Sequence, residues 1–167
     1  MLAANVARVL VRELDAVRRE LTLFPDDATV WRVLPGVTNS AGTLALHLAG
    51  NLKHFVGAVL GGTGYVRDRD AEFSRRDVAR AELDRELAEA GIVVRAVLEV
   101  LPDAALAREY PAKVQNVTVT TELWLLHLAT HLAFHLGQIG YLRRALTGQN
   151  TSAGGVAVTA LADPRPS

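Results

Sequence analysis

The sequence predicts an all-α protein, a four-helix bundle with a long crossover that leaves its second and third helices parallel. Three observations carry this. Apolar residues recur three or four apart along four long stretches. Half of the residues are hydrophobic but only 5% are aromatic, the apolar content being mostly Ala, Leu and Val. Segments with Gly, Pro or Asp separate the four stretches, and no internal repeat is present.

The first helix is expected over Leu2 to Phe24, with Val6, Val9, Leu10, Leu14, Val17 and Leu21 on one face and Arg8, Arg12, Glu13, Arg18 and Arg19 on the other. Pro25-Asp-Asp ends it. The connection that follows carries Trp31, read as a core plug, and a Pro35-Gly36 turn. Asn39 or Ser40 caps the second helix, which runs to about Leu60 and stops at Gly61-Gly-Thr-Gly64. Residues 61 to 73 are a long polar connection, enough to cross the bundle end. Ser74-Arg-Arg-Asp77 reads as a capping box for the third helix, which runs to about Leu101 with Val78, Leu83, Leu87, Ile92, Val94, Val97 and Leu98 inward. Arg108 to Tyr110 and Asn116 to Thr120 are expected to pair as a small β-hairpin around Pro111-Ala-Lys113. Thr120 or Thr121 caps the fourth helix, which runs to about Leu146 and stops at Gly148. Residues 1–148 form one helical domain; 149–167 form a loosely held tail in which Val156 to Leu161 can dock.

Eighteen basic residues balance eighteen acidic ones without a basic run, which argues against a nucleic-acid or anionic-membrane partner. Without cysteine there is no thiolate metal site, disulfide or Cys nucleophile. No stretch approaches the roughly 20 apolar residues of a membrane span, and Arg8, Arg12 and Glu13 interrupt any signal-peptide pattern. The expected location is cytoplasmic.

The five histidines lie in two segments. His47 and His54 are on the second helix; His127, His131 and His135 are on the fourth, four apart. Each helical residue advances about 100° and about 1.5 Å, so neighbours four apart can share one ion and residues eight apart cannot. A metal pair on the fourth helix is therefore His127 with His131, or His131 with His135, and one histidine of the second helix completes it. A simple up-down bundle favours the first pair; parallel second and third helices favour the second pair with His47. Three imidazoles without a fourth protein ligand leave a position open, which is the catalytic pattern for zinc. Gln138, one turn past His135, and Asn51, one turn past His47, can hydrogen-bond in the site. His127 is read as lining the pocket and His54 as structural or partly exposed.

The Asn39-Ser40 helix start, His47-Leu-Ala-Gly-Asn51 and His131-x-x-x-His135-x-Gly137-Gln138-Ile139, with Trp31 and Pro35-Gly36 before them, resemble the DinB/YfiT-like superfamily of bacterial four-helix metal proteins. The resemblance covers about residues 1 to 148. It implies zinc or nickel held by His47, His131 and His135, and second and third helices that run parallel. Characterised relatives conjugate low-molecular-weight thiols of the bacillithiol or mycothiol type, or use mycothiol in isomerising maleylpyruvate; others are described as metal-dependent hydrolases, and many are dimers. The expected function is thus a metal-dependent transferase joining such a thiol to a small-molecule electrophile, as a homodimer. The alternatives are a hydrolase using metal-bound hydroxide and a non-catalytic metal-binding or interaction protein.

Overall fold

A computed structural model describes residues 2–113, 116–153 and 157–162. Among these it is all-helical: α1 (Leu2–Thr22), α2 (Asp27–Val30), α3 (Ala41–Leu52) continued by a π-helix (Lys53–Leu60), α4 (Arg69–Ser74), α5 (Arg80–Leu98), α6 (Asp103–Leu106), α7 (Thr121–Thr147) and a 3₁₀ turn (Val158–Leu161). None of these helices is long and apolar enough to cross a membrane.

The caps on the two histidine-bearing helices are those the sequence marks. Ser40 Oγ accepts from the Thr43 amide at 3.1 Å and Thr120 Oγ1 accepts from the Leu123 amide at 3.2 Å, each satisfying a free N–H of a first turn. Gly148 ends α7 at φ 68°, a left-handed value that costs glycine nothing. Elsewhere the chain departs from expectation. Ser74 ends α4 rather than capping α5, and Asp77 sits at φ 57°, which breaks the helix; α5 starts at Arg80 without a side-chain cap. The second helix opens from α into π at Lys53, where periodicity predicts one continuous α-helix. The crossover is not bare loop but carries α4, capped by Asp68.

The expected hairpin reduces to one antiparallel bridge, Glu109 with Thr120, supported by Tyr110 N–H to Val119 O and Thr121 N–H to Arg108 O, both 2.9 Å. No strand forms among the described residues; Val114 and Gln115, inside the expected hairpin, lie outside them. Tyr110 is instead held by burial, its hydroxyl donating to Phe55 O at 2.6 Å.

The four long helices pack in a ring, α1 against α5 and α7, and α3 against the same two. Leu10, Leu14, Val17, Leu48, Leu52, Leu83, Leu87, Leu98, Leu125, Leu128 and Leu132 are fully enclosed between them. Ile92, expected inward, is exposed; the buried stripe of α5 runs through Leu87, Ala90, Gly91 and Val94 instead. Trp31 packs on this core over Gly42, where a Cβ would meet its ring, and donates its Nε1–H to Val78 O.

Contacts fix how the helices lie against each other. Lys53 pairs with Glu86, Gly57 meets Val93 and Gly61 meets Val97, so residue numbers rise together along the π-helix and α5 at these contacts. Between α3 and α7 they run oppositely: Phe55 stacks edge-on to Trp124 while His47 lies beside His131 and His135.

Thr151, Ala153 and Leu161 are tied to α1 and α7. Buried Arg143 donates to Glu20 at 2.6 Å and to Thr151 O. Glu20 accepts from the Ala153 amide, Arg19 donates to Ala153 O, and Arg8 donates to Leu161 O. Val156 lies outside the described residues.

Candidate metal centre

α3 and α7 bring three of the five histidines together. His47 is buried on α3; His131 and His135, half-buried, face it from successive turns of α7. Their Nε2 atoms converge. His131 Nε2 lies 3.3 Å from His47 Nε2 and 3.1 Å from His135 Nε2, and the three ligand atoms are within 4.8 Å of one another. Two ligands on a tetrahedral zinc with bonds near 2.0–2.1 Å stand about 3.3 Å apart, so this spacing fits one small ion.

The outer nitrogens explain why the inner ones converge. His47 Nδ1 is 3.0 Å from Glu72 Oε2, and His135 Nδ1 is 2.7 Å from Gln138 Oε1. Both partners are acceptors, so each ring carries its proton on Nδ1 and turns a lone pair inward from Nε2. Arg67 Nη2 also lies 3.3 Å from His47 Nδ1, which would suit the opposite tautomer. Glu72 is closer and anionic, and the same Nη2 already donates to Glu72 Oε2 at 2.7 Å, so Glu72 sets the tautomer.

Glu72 is itself held at both oxygens, Arg67 Nε reaching Oε1 at 2.7 Å. Burial by itself would raise its carboxyl; hydrogen bonds from Arg67 and His47, with their charges, outweigh this and hold it below the usual carboxylate value. Glu72 can approach His47 because residue 50, one turn along α3, is glycine: a Cβ there would collide with the Glu72 carboxylate. Phe73, next to Glu72, lies against the His47 ring at 4.9 Å and is covered by Arg69.

Burial, then the charges of neighbouring histidines and Arg67, push His131 down to about 4, so its ring is neutral near pH 7 and free to ligate. Burial also lowers His135, against the raising effect of Gln138.

The other expected residues take different places. His127 is exposed and stacks between Trp124 at 4.8 Å and His131 at 6.0 Å, outside the converging group. His54 lies in the π-helix, its ring against Phe55, with Nδ1 buried and unpartnered. Asn51 is buried with an unpartnered Oδ1 and has no hydrogen bond to the three histidines. Arg67 and Glu72, which complete the surroundings of His47, belong in sequence to the polar connection 61–73. The signal that marks them is an Arg-x-x-x-x-Glu pair, Arg67 and Glu72, on either side of Asp68, a good helix cap, opposite a glycine one turn from a candidate ligand.

No curated protein and no solved structure matches the chain. A family model described as "Protein of unknown function (DUF1572)" matches residues 4–158, nearly the whole length, and the chain belongs to that family.

Proposed function

We propose that the chain is a divalent-metal-dependent enzyme that transfers a low-molecular-weight thiol to a small electrophile at His47, His131 and His135. One observation carries the metal reading: three Nε2 atoms face one point while the outer nitrogens of two of the rings are engaged by acceptors. The inward lone pairs of His47 and His135 flank His131 Nε2, and a cation bound by all three nitrogens satisfies them together. The all-imidazole set suits zinc or nickel. When bound, the ion supplies Lewis acidity and lowers the pKa of a thiol or water reaching its open position.

The chain's own residues do the positioning. Glu72 accepts the His47 Nδ1 proton and strengthens that ring as a ligand, and Arg67 holds Glu72 in place. Gln138 does the same for His135 from the solvent side. The carboxylate nearest the centre is thus committed to His47 and Arg67. This supports a thiol nucleophile, which needs no general base once activated, over a water that would profit from one.

The rising register between the π-helix and α5, with the falling register between α3 and α7, supports a four-helix bundle whose second and third long helices are parallel. That is the arrangement implied by the resemblance to DinB/YfiT-like proteins. The outer face of α7, with Phe134 63% and Tyr141 74% exposed, is the seat we assign to a homodimer.

The test begins with elemental analysis of untagged protein. A model electrophile should then disappear only when thiol is present, and not with His131→Ala. Turnover of esters or amides without thiol would replace the transferase by a hydrolase. Normal metal content with neither activity would leave a metal-binding protein.

A further inference from the structure

The metal centre has two chemically different sides. Toward the start of α7 and the π-helix lie Trp124, Asn51 and His54, each with a buried polar atom lacking a partner. Toward the end of α7 and the start of α3 the lining changes. A groove of about 510 Å³ opens between the 34–39 turn and α7, walled by Leu34, Val37, Leu44, Tyr141 and Leu142 and floored by Ala145. None of its lining residues is charged; its side-chain polar groups come from Thr38, Asn39, Gln138 and the Tyr141 hydroxyl.

The groove adjoins the metal centre through two residues, although none of the three histidines lines it. Gln138 lines it and also accepts from His135 Nδ1. Leu44, also in its wall, is three residues before His47, so the two share one face of α3. Its size is that of a small-molecule site, and its lining is the usual mixture of many apolar groups with a few amides. With no charged side chain in its lining and the neighbouring cation, Arg144, stacked over the Tyr141 ring at 4.6 Å, the groove favours an uncharged occupant over a phosphate or carboxylate.

We propose that this groove is the subsite for the apolar part of an uncharged small-molecule substrate, an alkyl or aryl group. The reacting end of that substrate lies toward the histidines, and hydrogen-bonding groups of the second reactant fall on the Asn51–Trp124 side. This rests on the metal reading above, and the two are separable by experiment.

The full chain, loaded with zinc, is titrated with straight-chain hydroxamates from acetohydroxamate to octanohydroxamate. Each added methylene should tighten binding by about two- to fourfold until the groove is full. Ala145 is exposed, so Ala145→Trp can fill the groove without disturbing the core. In that variant the gain with chain length should vanish, while zinc content and acetohydroxamate affinity stay unchanged. In a second arm the metal-free protein is titrated with 1-hexanol and followed by NMR. Shifts should gather at Leu34, Val37, Leu142 and Ala145, and disappear in Ala145→Trp. Affinity independent of chain length, or hexanol shifts elsewhere, overturns the proposal. Failure to take up zinc with hexanol still in the groove overturns the metal reading and supports the groove as a ligand site.

Discussion

Glu72 Oε2 lies 3.0 Å from His47 Nδ1, and it reaches that position over the bare backbone of Gly50. A carboxylate behind a ligating imidazole fixes the ring and raises its basicity. Glu72→Gln keeps an acceptor for the Nδ1 proton but removes the charge and weakens the pair with Arg67. Zinc affinity, measured by competition with a chromophoric chelator, should fall about 10- to 100-fold, with the helical content kept. An unchanged affinity would show that Glu72 has no part in ligation.

Two glycines in helices should respond oppositely to alanine. An exposed helical Gly→Ala normally stabilises by about 1 kcal/mol. Gly137 has nothing within 4 Å of an added Cβ, so Gly137→Ala should raise the midpoint of urea unfolding and leave zinc affinity alone. At Gly50 the new methyl would meet the Glu72 carboxylate. Gly50→Ala should therefore lower both stability and zinc affinity, in step with Glu72→Gln. Equal behaviour of the two variants would refute the close approach.

How much was legible beforehand follows from where each constraint lives. Periodicity and caps are local, and they marked the long helices at Ser40, Thr120 and Gly148. Helical spacing showed that His131 must belong to any metal pair on its helix, but not its partner, because that depends on the direction of a distant helix. The resemblance points to His135, and the structure brings His135 rather than His127 against His47. Glu72 escaped because its role is tertiary: the Arg67–Glu72 spacing and the Asp68 cap mark a short helix, but only the packing of that helix over α3 sets Glu72 behind His47. The capping box at Ser74 failed for a similar reason. The chain must leave α4 and re-enter α5 at an angle, and Asp77 in left-handed geometry makes that turn.

The five histidines should separate into two groups. His47→Ala, His131→Ala and His135→Ala should each bring metal below about 0.2 per chain in dialysed protein. His127→Ala should keep near-stoichiometric metal, since that ring is exposed and stacked on Trp124. His54→Ala should behave like His127→Ala. Metal lost from His127→Ala and kept by His135→Ala would select the other pair and reverse the assignment.

Acid should destabilise the metal-free protein. Burial and neighbouring positive charge lower His131 from 6.5 to about 4, and burial lowers His135 and His54 in the same direction. Below 6.5 the unfolded chain takes up these protons more readily than the folded one, so protonation draws the equilibrium toward unfolding. Their contribution is complete above 6.5 and is lost as pH falls toward 4. Urea midpoints should therefore drop between about pH 7 and about pH 4.5, and bound zinc should leave over the same interval, because ion and proton compete for the same nitrogens. In His131→Asn the drop should be shallower. A midpoint flat across this range would contradict the burial of these rings.

Arg143 is fully enclosed and meets Glu20, itself almost fully buried, at 2.6 Å. Removing one member of such a pair leaves the other charge buried without its counter-ion, which costs about 3–5 kcal/mol. Arg143→Met should therefore lower Tm by roughly 10 °C for a chain of this size. It should also free residues 151–153, because Arg143 donates to Thr151 O and Glu20 accepts from the Ala153 amide. Amide exchange at Ala153 should accelerate in step. If the loss comes from the stranded carboxylate rather than from the missing attraction, Glu20→Leu combined with Arg143→Met should recover most of the Tm. Residues 151–153 would stay less protected in that double variant, since the Arg143 and Glu20 anchors are gone and only the exposed Arg19 contact to Ala153 O remains there. Recovery of Tm without recovery of Ala153 protection would separate the two roles of the pair; recovery of neither would mean that the ion pair stabilises the bundle outright.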